Sequence, residues 1–172
     1  MKTLAKILLA LACGAAALSL HAAEKPKNWT PPAHKLYAQT LSEQIMASHP
    51  ELLSITFHGV PPGLSKVYTM FAGSYVDRIG NPDDPDDVMV SELGITIVDP
   101  RWHRTHDAVR KFVMMMPLRD AAGESVGLLV AAYKHPANDG KSETDFFLAG
   151  TALRDELQKQ IPTYEALFAP AK

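Results

Sequence analysis

Residues 111–133, KFVMMMPLRDAAGESVGLLVAAY, constrain the fold more than any other stretch of this chain. Phe112, Met114 and Met116 alternate with Val113, Met115 and Pro117, the period of two that sends successive side chains to opposite faces of a sheet. Residues 119–124 are a break of turn formers, and Gly123 within it is free to take positive φ. Residues 126–133 return as a second strand, apolar on both faces and so expected at the centre of a sheet. The segment predicts an antiparallel hairpin with a tight turn.

The start of the chain predicts where it works. Lys2 and Lys6 flank the entry to an uncharged apolar run over residues 7–20, and Ala22 and Ala23 stand just before Glu24-Lys25-Pro26. This is the layout of a secretory signal peptide cut after Ala22 or Ala23, which places the mature protein in the periplasm. A retained membrane anchor needs roughly 20 apolar residues, more than this run supplies. Cys13, the one cysteine, lies inside the run, and Ala10-Leu11-Ala12-Cys13 loosely resembles a bacterial lipoprotein box. In that alternative Cys13 would be lipidated, but the apolar run before it is short and continues beyond it. Without Cys13 the mature chain has no disulfide and no thiolate chemistry, so a packed core must hold it together. The 172 residues less a 23-residue leader leave 149, enough for one domain. Of 17 basic residues the leader removes Lys2 and Lys6, leaving 15 against 19 acidic ones. A mildly acidic chain without a basic cluster argues against nucleic acid or an anionic membrane surface as partner.

Along the mature chain, residues 24–33 read as a polar, proline-bearing tether, and residues 34–168 as a single domain. Tyr37, Leu41 and Ile45 fall on one stripe of a helix over residues 33–48, which His49-Pro50 ends because the residue before proline avoids the α region. Leu53, Ile55 and Phe57 alternate with Ser54, Thr56 and His58 in a half-buried strand, and residues 67–72 form another. The acidic run of residues 83–87 leads into a short helix over residues 88–93, where aspartates suit the first turn. A brief strand follows at residues 95–98, and residues 99–106 are polar and ambiguous. After the hairpin, Ser142 caps a last helix whose stripe is Phe146, Gly150, Leu153 and Leu157, and Pro162 stops it. Helix, strand, strand, short helix, strand, strand, helix is the order of an α+β domain: an antiparallel sheet flanked by N- and C-terminal helices.

Three segments carry a resemblance: residues 49–63, a helix end running into a strand and a proline loop; residues 78–87, a loop before a short helix; and the hairpin 117–133. Together they are similar to the single Cache, or PAS-like, sensor domains of extracytoplasmic bacterial receptors. The resemblance implies a periplasmic small-molecule sensor used in signal transduction, with the ligand between the sheet and residues 79–93. Such domains are usually followed by a second transmembrane helix and a signalling module. No second apolar span follows here before Lys172, so the expectation is a sensor-type module without its own transmembrane or output domain.

The candidate ligand-binding residues are Tyr68, Met70, Arg101, Met114, Met116 and Tyr133. Methionine is unbranched and polarisable, so a row of it suits an adaptable pocket as well as a core strand. Arg101 and Tyr68 would supply polar contacts; Arg119, beside the turn, reads either as a third contact or as an exposed residue. His103 and His106, three apart, are a weak metal pair, because two ligands do not make a site. Residues 83–87 lack the glycine of a calcium loop and read better as a helix cap. No CxxCH, GxSxG, glycine-rich phosphate loop or HExxH occurs, so neither a cofactor nor catalysis is expected. Two alternatives stand beside the sensor: an adaptor with a filled pocket, working with an inner-membrane signalling protein, and a metal- or haem-binding periplasmic protein. In the sensor or the adaptor the N-terminal helix could form a homodimer surface.

Overall fold

The computed structural model describes residues 26–98 and 109–171. The expected leader with Cys13, and Arg101, His103 and His106, lie outside the described residues. The α+β class, with an antiparallel sheet flanked by N- and C-terminal helices, is the one found.

Helix α1, Tyr37–Ser48, buries Ala38, Leu41, Ser42 and Ile45. Strands β1, Leu52–Gly59, and β2, Thr69–Gly73, follow, then a 3-10 turn at Val76–Arg78 and helix α2, Pro85–Leu93. A two-residue strand β3, Ile97–Val98, precedes the long hairpin of β4, Lys111–Arg119, and β5, Ser125–Lys134. Helix α3, Glu143–Gln160, and a short α4, Tyr164–Phe168, close the domain. The sheet order is β2-β1-β5-β4-β3, every pair antiparallel. β5 is central, as its apolar faces require.

Which side chain faces which layer depends on two irregularities. Between Leu52 and Ser54 the pairing of β1 with β5 shifts register. Leu52, Ile55 and Phe57 therefore join the core under α1, α3 and α4, whereas Leu53 packs on the opposite face. Strict alternation had grouped Leu53 with Ile55. The second irregularity is Gly127, at φ +136°, where a Cβ would collide with the His58 carbonyl oxygen of β1. The crowding comes from the neighbouring strand, and only glycine permits both the conformation and the approach. Gly123 has φ +89° at the hairpin turn, as its sequence context predicts.

The core lies on the helical face. Phe112 stacks on Phe146 of α3 at 4.7 Å between ring centroids, and Tyr133 meets the same ring at 5.8 Å. Gly150 of α3 sits over the Met114 sulfur, leaving no room for a Cβ there. Ser142 caps α3, its hydroxyl accepting from Asp145 N–H at 3.3 Å. α4 was not foreseen, because Pro162 reads as the end of helical structure. Thr163 restarts it, with its hydroxyl accepting from Ala166 N–H, and Leu167 and Phe168 pack back on the core.

The first and last described segments are tied together. Leu36 bridges to Pro170, Tyr37 N–H donates to Ala169 O at 2.8 Å, and Ala171 N–H to Lys35 O at 2.8 Å. Residues before α1 are held too: Asn28 and Trp29 N–H donate to Gly80 O, and Trp29 meets Phe168 edge-on. The described part of the expected tether is thus packed against the domain.

Met114→Ala and Met116→Ala should each lower stability by about 2–5 kcal/mol, read by denaturant unfolding, because both side chains are fully enclosed. Gly127→Ala should lower it by about 2–4 kcal/mol through positive φ and the approach to β1, and wild-type stability in that variant would contradict the register described here.

Candidate functional site

The sheet face turned away from α1, α3 and α4 carries small side chains where β1, β5 and β4 run side by side. Ser54, Thr56 and His58 come from β1, Val130 and Ala132 from β5, and Val113 from β4. Helix α2 covers only part of this face, with Val90 buried against Val113, Met115, Leu128 and Ala132. Beyond α2 the small floor residues leave a cavity of about 320 Å³, roofed by Tyr75 and Arg78 of the 3-10 region and by Asn81, Pro82, Asp84 and Asp87. It lies between the sheet and residues 75–87, which overlap only part of the 79–93 segment expected over a ligand.

The roof is fixed by backbone hydrogen bonds. Residues 80–83 run along the outer edge of β2: Gly80 N–H donates to Met70 O at 2.8 Å, Met70 N–H to Asn81 O at 3.1 Å, and Asp83 N–H to Tyr68 O at 3.1 Å. α2 begins at Pro85, a favoured first-turn residue, and Asp84 N–H donates to Asp87 Oδ2 at 3.0 Å. The helix therefore starts three residues earlier than the apolar pattern indicates, and the acidic run does cap it.

Asp83 is turned inward instead. Its side chain is 1% exposed, and its Oδ1 lies 2.7 Å from His58 Nδ1. His58 Nε2 lies 2.7 Å from Thr56 Oγ1, so both ring nitrogens are engaged. Burial works to lower the His58 pKa, but the hydrogen bond to Asp83 and the charges of Asp83, Asp87 and Asp84 outweigh it and hold the imidazole above its ordinary value. Burial pushes the Asp87 carboxyl up to about 6, against the opposing pull of His58. Asp83 Oδ2 and Asn81 Oδ1 are buried without a hydrogen-bond partner. His58, Asp83 and Asp87 offer ligand atoms within 4.8 Å of one another, close enough for one cation. At the mouth, the Arg78 guanidinium sits over the Tyr75 ring at 4.6 Å.

Of the residues singled out from sequence as ligand contacts, Met70 lines this cavity. Met114, Met116 and Tyr133 do not. They point to the helical face, at 0%, 0% and 2% exposure, and form packed core. Alternation showed that β4 has two faces but not which one meets the helices; Phe112 on Phe146 and Gly150 under Met114 decide it. Tyr68 lines a separate, more open depression of about 420 Å³ with Ser91 and Tyr164, and its hydroxyl donates to Glu92 Oε1 at 2.7 Å. Arg119 braces the hairpin turn, donating to Gly123 O at 2.9 Å. Sequence reasoning passed over His58, Asp83 and Asp87 as a group. The one available signal was the small polar series Ser54, Thr56, His58 on a single strand face.

No family model and no curated protein matches the chain. Among solved structures, the crystal structure of the E. coli DcuS sensor domain matches 69% of this chain and 71% of that chain, at 14% identity and a TM-score of 0.37. At that identity and TM-score the likeness carries no conclusion about this chain. Among the described residues no helix is long and apolar enough to cross a membrane.

The His58–Asp83 pair generates a pH test. Its stabilisation is fully present below the unfolded histidine value of about 6.5 and is lost as pH rises through the raised folded value. A double-mutant cycle with His58→Ala and Asp83→Ala should give a coupling of about 1–3 kcal/mol at pH 6, shrinking as pH rises. A coupling that grows with pH would contradict the assignment.

Proposed function

We propose that this chain is an exported small-molecule-binding module of the sensor type, with its ligand held in the cavity between the sheet and residues 75–87. The observation that carries the reading is the cavity itself. Its volume of about 320 Å³ falls at the lower end of the ~300–1,000 Å³ typical of ligand sites, a size for a metabolite. Its wall combines an apolar floor of Val113, Val130, Ala132 and Met70 with a few polar groups, the composition that orients a small ligand. Asn81 Oδ1, a buried acceptor with no partner, is one such group, and a donor on the ligand would satisfy it. Arg78 at the lining, held over the Tyr75 ring, supplies positive charge suited to a carboxylate. Binding, not catalysis, is the activity of this reading. Export rests on Lys2, Lys6 and the apolar run after them, and the ligand-bound state would be passed to an inner-membrane signalling protein.

A thermal-shift screen of the mature protein against organic acids, amino acids, purines and haem tests the proposal. A ligand at a hundredfold excess over its Kd should stabilise the fold by about 2.7 kcal/mol. Ala132→Leu and Val113→Phe, which fill the floor, should remove that response while the proteins stay folded. No stabilisation by any compound, or an unchanged response in both filled variants, would overturn the reading.

A further inference from the structure

We propose that His58, Asp83 and Asp87 bind a divalent transition-metal ion of the zinc class at the β1 end of the cavity. The inference goes beyond the small-molecule reading and does not depend on it. The three donors come from separate elements, each held by its own backbone bonds: His58 in β1 between β2 and β5, Asp83 on the segment paired to the edge of β2, and Asp87 in the first turn of α2. Their ligand atoms lie within 4.8 Å of one another, and small side-chain rotations bring such a set to the ~2.0–2.2 Å bonds of zinc to imidazole and carboxylate.

Two further observations point to a cation. Asp83 Oδ2 is buried and unpartnered on a side chain 1% exposed, and a carboxylate oxygen left so is costly unless a cation or donor meets it. His58 is oriented as metal-bound histidines are: Nε2 is hydrogen-bonded to Thr56 Oγ1 at 2.7 Å, leaving Nδ1 turned toward the carboxylates. The ion would replace the proton between His58 Nδ1 and the Asp83 carboxylate, whose unpartnered Oδ2 a small rotation turns to it. Asp87 uses Oδ2 to accept from Asp84 N–H, which leaves Oδ1 for the ion. A neutral imidazole with two carboxylates carries two negative charges, matching a divalent ion, and the nitrogen donor favours zinc or cobalt over magnesium or calcium. Because His58 and Asp87 also line the cavity, the ion has an entry path and an open coordination position facing it.

Metal-stripped mature protein titrated with Zn²⁺ at pH 7.5 should take up one equivalent, undisplaced by excess Mg²⁺, and Co²⁺ should give the visible absorption of a four-coordinate nitrogen–oxygen site. His58→Ala and Asp83→Asn should each weaken zinc binding by about a hundredfold or more, and Thr56→Val by about tenfold through loss of the histidine's orienting bond. Asp87→Asn, which can keep the cap to Asp84, carries the test if Asp83→Asn fails to fold. His103→Ala with His106→Ala should leave the affinity in place. So should Ala132→Leu, since Ala132 pairs with Ser54, four residues along β1 from His58, which separates this inference from the small-molecule reading. No uptake at micromolar zinc, or uptake undiminished in the His58 and Asp87 variants, would overturn the proposal.

Discussion

The antiparallel pairing of β1 with β5 joins positions 70 to 81 residues apart in the chain, from His58–Leu128 to Leu52–Tyr133, and sets the two faces of the sheet for everything packed on them. Its register is pinned at one end by the shift between Leu52 and Ser54 and at the other by Gly127 against the His58 carbonyl. A one-residue slip would send Ile55 and Phe57 toward the cavity and Thr56 and His58 into the aromatic core. The penalty for burying an unpaired imidazole among Phe71, Phe112 and Phe146 is far larger than the few tenths of a kcal/mol of any single cross-strand pair. Core and cavity are therefore two results of one register.

The two faces are built on opposite principles. Under the helices, large side chains interlock: Phe112 on Phe146, Met114 into the space left by Gly150, Phe71 on Phe168 at 4.7 Å. On the opposite face the side chains beyond α2 are shorter, and a nine-residue helix, rising ~1.5 Å per residue, cannot cover strands of eight to ten residues that rise ~3.3 Å per residue. The acidic run then serves two ends within a few residues. Asp84 and Asp87 begin the helix, while Asp83, one peptide earlier and facing the opposite way, is drawn beneath it to His58.

Much of the architecture was legible because it is written in local chemistry. The hairpin follows from alternation and Gly123, α3 from Ser142 and its four-residue stripe, and the end of α1 from His49-Pro50. What escaped was non-local. Whether Met114 or Met115 faces the helices depends on Gly150, 36 residues away in the chain, and the parity of β1 on a register shift that composition does not announce. His58 and Asp83 lie in separate segments, each with an adequate local explanation as strand polarity or helix cap. Their meeting is a product of the β2 edge, where residues 80–83 pair with residues 68–70. α4 was hidden by Pro162, which ends one helix without preventing the next from starting two residues on.

The junction of Lys35 and Leu36 with Pro170 and Ala171 gives the domain a single seam. Chain entering α1 and chain leaving α4 emerge side by side, so the domain behaves as a closed loop hung from one point. The stretch before α1 runs from that seam to Gly80, so Asn28 and Trp29 link the seam to the segment that roofs the cavity. A fold whose entry to α1 and exit from α4 meet in this way also suits circular permutation, with new termini opened in an exposed turn such as that at Ala121 and Ala122.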